Sequence, residues 1–220
     1  MKPSPASETE LLERATLLAG KTLGAIAAEA DFSLPVSMKR AKGWAGLLVE
    51  HFLGASAGSQ PGPDFPDLGI ELKTLPLDRY GKPRESTYVC TVSPRNDLQT
   101  PWHISRVRQK LARVLWIPVE ALPAIPLAQR RIGTPVLWRP DAFQENLLRK
   151  DWEELTDMIR HGELDKITAR YGQCLQIRPK ARNSRSLQTS SGPEGHPEKT
   201  LPRGYYLRAD FTQQILDIHQ

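Results

Sequence analysis

The sequence predicts an α/β chain of two lobes, in which a mixed sheet with crossover helices is followed by a second small sheet and a terminal helix. Three observations carry this expectation. Apolar residues recur at helical spacing through the N-terminal quarter. Short runs rich in β-branched and aromatic residues then occupy Ile70 to Thr74, Ser86 to Val92 and Val114 to Val119. A long amphipathic segment, Gln144 to Arg160, separates these runs from two later ones, Leu175 to Ile177 and Gly204 to Leu207. At 220 residues the chain can bury a sizeable core and suits one domain of two closely joined arms, about 1–110 and 111–220.

Ser7-Glu-Thr-Glu10 is a capping box for a first helix carrying Leu11, Leu12, Ala15 and Leu18, with Gly20 as its stop. A second helix runs from about Leu23 to Ala30. A third begins near Met38, carries Trp44, Leu47, Leu48 and Phe52, and ends at Gly54. Ala55 to Pro63 reads as a loop delivering the chain to Asp64. Asp78 to Pro83 looks like a hairpin turn that pairs the strand before it with Ser86 to Val92. Ile104 to Leu111 reads as a helix, Val114 to Val119 as a buried strand, Val136 to Trp138 as a further strand and Phe211 to Ile218 as a last helix. Arg182 to Glu198 is rich in Ser, Gly and Pro and reads as a mobile loop.

No apolar run approaches the ~20 residues needed to span a bilayer, and Met-Lys-Pro-Ser-Pro lacks a signal core, so a cytoplasmic protein without membrane association is expected. Cys90 and Cys174 have no partner at metal-ligand spacing and are expected as buried, reduced thiols. The net charge is +5, and Arg178 to Arg208 holds seven basic residues against two acidic ones. A second basic cluster is Arg106, Arg108, Lys110 and Arg113. Such asymmetry fits a phosphate-backbone footprint, although a basic soluble surface would look the same.

The chemistry lies in Pro63-Asp-Phe-Pro-Asp-Leu-Gly-Ile-Glu-Leu-Lys-Thr74. Strand alternation puts Glu71 and Lys73 on one face, with Ile70 and Leu72 toward a core, and Gly69 lets the chain turn after Asp64. Carboxylate oxygens are hard ligands suited to Mg²⁺, which polarises a phosphoryl oxygen and lowers the pKa of a bound water. Lys73 could then orient that water or stabilise charge on the phosphate. The bland alternative is a solvated strand face. Glu50 is either a further carboxylate for this site or an ordinary surface residue. Lys110 is either a phosphate clamp or one of several solvated cations, and spacing does not decide. Arg178-Pro179-Lys180 follows a strand, and both cations can hydrogen-bond guanine O6 and N7. Tyr205 and Tyr206 fall on opposite strand faces, so at most one points at a ligand.

The motifs Lys42-Gly-Trp44, Leu48-Val-Glu50, Leu53-Gly-Ala-Ser-Ala-Gly58, Gly69-Ile-Glu-Leu-Lys-Thr74, Val114-Leu-Trp-Ile-Pro-Val-Glu120, Asp151-Trp-Glu-Glu-Leu155 and Leu175-Gln-Ile-Arg-Pro-Lys180 resemble the MutH family of DNA mismatch repair endonucleases. The resemblance runs from about Leu11 to Ile218 and weakens at Arg182 to Lys199. It implies a type II restriction endonuclease-like fold whose two arms surround a DNA cleft. It also implies Mg²⁺-dependent nicking of the unmethylated strand of hemimethylated GATC, 5′ to the G, by a monomer stimulated by MutL after MutS finds a mismatch. By the same resemblance Asp64, Glu71 and Lys73 form the catalytic triad, Glu50 and Lys110 support it, and Leu72 joins Asp64, Glu71 and Glu50 at the metal. Arg178, Pro179, Lys180 and Tyr206 read the site, with Tyr206 near the adenine, and Lys42 is a DNA contact. Two alternatives stay open: a stand-alone GATC restriction enzyme, and a DNA-binding protein without catalysis.

Overall fold

A computed structural model describes the chain apart from residues 1, 36–42, 59, 93–99, 181–187, 192–196, 201 and 219–220, with backbone alone described at 188–191 and 197–200. In chain order, the helices are α1 (Glu8–Thr16), α2 (Leu23–Glu29), α3 (Trp44–Leu53), α4 (Arg106–Leu111), α5 (Ala142–Arg160) and α6 (Ala209–Ile218). The strands are β1 (Glu71–Leu77), β2 (Thr87–Thr91), β3 (Val114–Glu120), β4 (Val136–Trp138), β5 (Leu175–Pro179), β6 (Gln188–Ser191), β7 (Pro197–Thr200) and β8 (Arg203–Leu207). Small sheets flanked by helices make this a mixed α/β protein, the class the sequence predicts.

The chain forms two compact units, one of residues 1–85, 112–139 and 215–220, the other of 86–111 and 140–214. They interleave along the sequence, whereas the sequence reading set one boundary near residue 110. Strand pairing is the reason: β1 finds its partner β3 only after the chain has left the first unit and returned.

In the first unit the strand order is β1-β3-β4, with β1 and β3 parallel and β4 antiparallel to β3. β3 is the central strand and is buried from Val114 to Val119, as expected of a nearly continuous apolar run covered on both faces. Leu11, Leu23, Ile26, Leu48 and Phe52 of the three N-terminal helices, with Leu18 from the turn after α1, pack with Ile70, Leu72, Leu115 and Ile117 in one core. Ser7 caps α1 by accepting the Glu10 amide at 3.2 Å. α3 stops at Gly54, whose φ of +80° and whose Cβ position, 2.4 Å from the Pro3 carbonyl oxygen, leave room for no side chain. The expected start of α3 near Met38 lies outside the described residues.

The hairpin expected after β1 does not form a sheet. The turn exists, with Asp78 accepting the Tyr80 and Lys82 amides through its carboxylate, and Leu77 bridges Pro83. The Asp78 amide donates to the Lys82 carbonyl at 2.9 Å and the Arg84 amide to the Pro76 carbonyl at 3.0 Å, and the pairing goes no further. The chain moves on into the second unit, where β2 pairs with β8 instead.

The second unit has the order β2-β8-β5, antiparallel throughout. α5 starts at a complete capping box, Asp141 with Gln144, and buries Leu148, Trp152, Leu155 and Ile159. Within the stretch expected to be a mobile loop, β6 and β7 pair antiparallel, Gln188 opposite Thr200 and Ser191 opposite Pro197. Polar residues with weak strand propensity concealed this hairpin. Cys90 and Cys174 are both buried and in no disulfide, as expected. Among the described residues no helix is long and apolar enough to cross a membrane.

Candidate functional site

Asp64 reaches the strand because the chain between them doubles back. Pro66–Leu68 form a short 3-10 turn, Gly69 takes a φ of +64°, and Phe65 and Ile70 exchange backbone hydrogen bonds of 2.9 and 3.2 Å. That closed loop brings the Asp64 carboxylate beside β1, where Oδ2 accepts the Leu72 amide at 2.8 Å. The Asp64 carbonyl is tied from the other side by the amides of Ser56 and Ala57 at 3.1 and 3.3 Å, which locks the Gly-rich loop after α3 to the same point.

Glu71 and Lys73 share a face, as the strand period requires, and form an ion pair. Leu72, between them, faces the core at 4% exposure, yet Glu71 is also buried, at 1%. Strand alternation alone would place the charged face in water; here both faces are covered at the start of β1. A buried carboxylate needs a cation or hydrogen bonds to stay ionised, and Lys73 supplies the charge. Glu50 lies on α3, which packs against β1. A methyl group added to Gly46 would sit 3.9 Å from Glu50 Oε1 and 3.7 Å from Thr74 Oγ1, so Glu50 and β1 flank the same small gap. The first unit therefore collects Glu50, Asp64, Glu71, Leu72 and Lys73 around one strand end.

All the donors here are hard oxygens, which suits Mg²⁺. Among the described residues no three His, Cys, Asp or Glu side chains stand close enough together to hold a metal by themselves. Asp64 is turned to the Leu72 amide and Glu71 to Lys73. Main-chain oxygens and water would have to complete the coordination sphere, which is the usual habit of Mg²⁺.

Lys110 lies in the last turn of α4 in the second unit and is partly buried. Two of the three cations the sequence grouped with it have structural partners: Arg108 pairs with Glu145 at 3.1 Å and Arg113 with Glu8. Among the described residues, Arg203 is likewise engaged with Asp165 at 3.0 Å and Arg208 with main-chain carbonyls. The charge excess overstated the surface available to an anion.

On the β2-β8-β5 sheet, Gln176 stands opposite Tyr206 and Arg178 opposite Gly204, while Tyr88 and Thr91 stand opposite the same two β8 residues. Arg178, Pro179 and Lys180 are exposed at the end of β5. Tyr206 is half-buried and meets the Tyr88 ring edge-on at 5.4 Å. Tyr205 points the other way, buried, with its hydroxyl 3.2 Å from Thr156 Oγ1. The sequence expectation that the two tyrosines diverge holds, and Tyr206 is the one on the Arg178 face. Sequence reasoning missed Ser86, whose hydroxyl accepts from Gln176 Nε2 at 2.7 Å and Arg178 Nη1 at 3.2 Å, together with Tyr88 and Thr91. These partners stand about ninety positions apart in the chain, and no local pattern announces them. Lys42 lies outside the described residues.

The sequence profile of a family described as DNA mismatch repair enzyme MutH matches residues 53–151. The chain is 53% identical over 219 residues to the DNA mismatch repair protein MutH of Serratia proteamaculans, covering 100% of this chain and 96% of that one. The chain belongs to the MutH family. Similarity is equally extensive to the MutH proteins of Yersinia enterocolitica, 53% identical over 98% of this chain and 94% of that one, and of Yersinia pestis, 52% over the same shares. The MutH profile spans Asp64, Glu71, Lys73 and Lys110, and the full-length MutH relatives extend the likeness across β5 and β8.

Proposed function

We propose that this MutH-family protein is a DNA mismatch repair endonuclease that nicks the unmethylated strand of hemimethylated GATC 5′ to the G, with Mg²⁺, in response to MutL. The observation that carries the reading is the set on β1: a buried Glu71 paired with Lys73, and Asp64 folded back onto the amide between them. Asp64, Glu71, Glu50 and the main chain of Leu72 would hold the ion. Mg²⁺, when bound, polarises the phosphoryl oxygen and makes water a better nucleophile.

The residues of the chain do the rest. Glu71 keeps Lys73 extended along the strand face, and the ammonium can donate to a phosphate oxygen as charge builds on it, or to the attacking water. In-line attack on phosphorus breaks the bond to the 3′ oxygen and leaves a 5′-phosphate and a 3′-hydroxyl. Lys110 is proposed as a further cation for the scissile phosphate. Arg178 and Lys180 donate to guanine O6 and N7, with Pro179 stiffening the segment between them. Tyr206 packs against the adenine, where an N6-methyl group would be crowded out.

The test uses duplexes with unmethylated, hemimethylated or fully methylated GATC, incubated with Mg²⁺ with and without MutL, and maps cuts by strand. A nick confined to the unmethylated strand is the expected result. Equal cutting of both strands of a hemimethylated site would point to a restriction enzyme, and binding without any cleavage would overturn the enzymatic reading.

A further inference from the structure

We propose that Tyr88 and Thr91 form a hydroxyl cradle that positions Lys180, so that its ammonium offers the nucleic acid one directed proton; the inference rests on the DNA-reading role proposed above for Lys180. Tyr88 Oη and Thr91 Oγ1 are 2.8 Å apart, and Lys180 Nζ lies 3.1 Å from the first and 3.3 Å from the second. The same ammonium sits 4.6 Å from the centroid of the Tyr88 ring.

A regular strand would forbid this cradle. Residues three apart project to opposite faces, so Tyr88 and Thr91 should diverge. Between Tyr88 and Cys90 the register with β8 slips: Tyr88 stands opposite Tyr206, but Cys90 stands opposite Tyr205 and Thr91 opposite Gly204. Val89 is the extra residue of a β-bulge, and it brings both hydroxyls to the face that carries Arg178 and Tyr206. The Tyr88 ring is fixed in its turn. It lies over Gly204, where a Cβ would come within 2.8 Å of Tyr88 Cε2, and it contacts the edge of Tyr206.

An exposed lysine ordinarily samples many rotamers and acts as an undirected point charge. Here two of its three protons are taken by hydroxyl oxygens, which leaves one for an acceptor such as guanine O6 or N7. The ordering cost is met before the ligand arrives, and preorganisation of this kind appears as discrimination between sequences.

The test measures Kd by fluorescence anisotropy, without divalent metal, for a GATC duplex and for duplexes substituted at each G·C pair. Thr91→Val and Tyr88→Phe, which keeps the ring, are each expected to lower the ratio of cognate to substituted affinity about five- to tenfold. Thr91→Ser should restore it, and Thr91→Val should change nothing further in a Lys180→Ala background. A fold defect would weaken all duplexes alike and persist in Thr91→Ser. The cradle is overturned if Thr91→Val keeps the wild-type ratio, if its effect adds fully to that of Lys180→Ala, or if the wild type shows no sequence preference. A wild type that prefers GATC yet never cuts it overturns the endonuclease reading alone.

Discussion

Asp151 and Arg208 hold one loop by its opposite poles. The buried Asp151 carboxylate accepts the amides of Gln173, Cys174 and Leu175 at 2.6 to 2.9 Å, while Arg208 donates to the carbonyls of Ala169, Tyr171 and Gly172. Gly172, with a φ of +74°, turns the chain between the two sets of bonds. Charge-assisted hydrogen bonds to a backbone are stronger and better directed than neutral ones. The segment that runs straight into Arg178 and Lys180 is thus set by an anion and a cation as well as by the burial of Leu175 and Ile177.

Asp151→Ala should therefore be costly although the side chain faces no ligand. Three amides lose their acceptor in a site that is 95% shielded, and the expected loss is about 2–4 kcal/mol in a urea titration. Affinity for duplex DNA should fall with it, because β5 loses its anchored start. An unchanged urea midpoint would show that water replaces the carboxylate.

Lys73→Ala should reduce cleavage by about a thousandfold or more while leaving duplex binding largely intact. It should also destabilise the fold, because the Glu71 carboxylate, at 1% exposure, loses its ion-pair partner. The cost should be about 3 kcal/mol. The double variant Lys73→Met, Glu71→Gln should recover much of that stability and none of the cleavage. Normal cutting by Lys73→Ala would end the assignment.

Gly204→Ala tests the floor under the two tyrosines. The new methyl would meet Tyr88 Cε2 at 2.8 Å, and both the Cys90 carbonyl and Tyr206 Cε2 at 3.2 Å. Two rings and a strand backbone must shift, at about 1–3 kcal/mol. The sheet should survive, as read by circular dichroism, while the proposed discrimination against N6-methyladenine should be lost with the displaced Tyr206.

Cys174 gives a pH-dependent prediction. Burial first, and then the Asp151 charge, push its thiol from the ordinary 9.0 up to about 12, against a smaller pull from Arg208. The folded state holds this proton more tightly than the unfolded chain. Its contribution to stability is complete below pH ~9 and is lost as the pH rises from there toward 12. Iodoacetamide at pH 9 should leave Cys174 unmodified in the native protein and alkylate it in urea, as read by mass spectrometry. Rapid native alkylation would mean the thiol is exposed.

Most of the fold was legible because its signals are local. Ser7 and Gly54 bound their helices by cap and stop chemistry, and the apolar run of β3 announced a central strand. Asp64, Glu71 and Lys73 were legible for the same reason, since one short loop and one strand hold all three. What stayed hidden depends on pairing across distance. The chain that turns back along β1 as far as Arg84 then leaves for a partner in β8, the parity of Tyr88 and Thr91 hinges on a bulge that only the β8 register reveals, and Arg208 read as surface charge until its carbonyl partners were seen.

Among the described residues β1 is the outermost strand of its sheet, with β3 on one side and, on the other, only the turn that bridges Leu77 to Pro83. Edge amides are open invitations to another chain, and the amide of Leu72 is closed by the Asp64 carboxylate. The residue proposed to bind metal therefore also satisfies a shielded main-chain donor at that edge. An Asp64→Ala protein prepared as an inactive control would leave that donor without its acceptor and should unfold at lower urea, by about 1–3 kcal/mol. Asp64→Asn, which keeps an acceptor oxygen, is the safer catalytic blank.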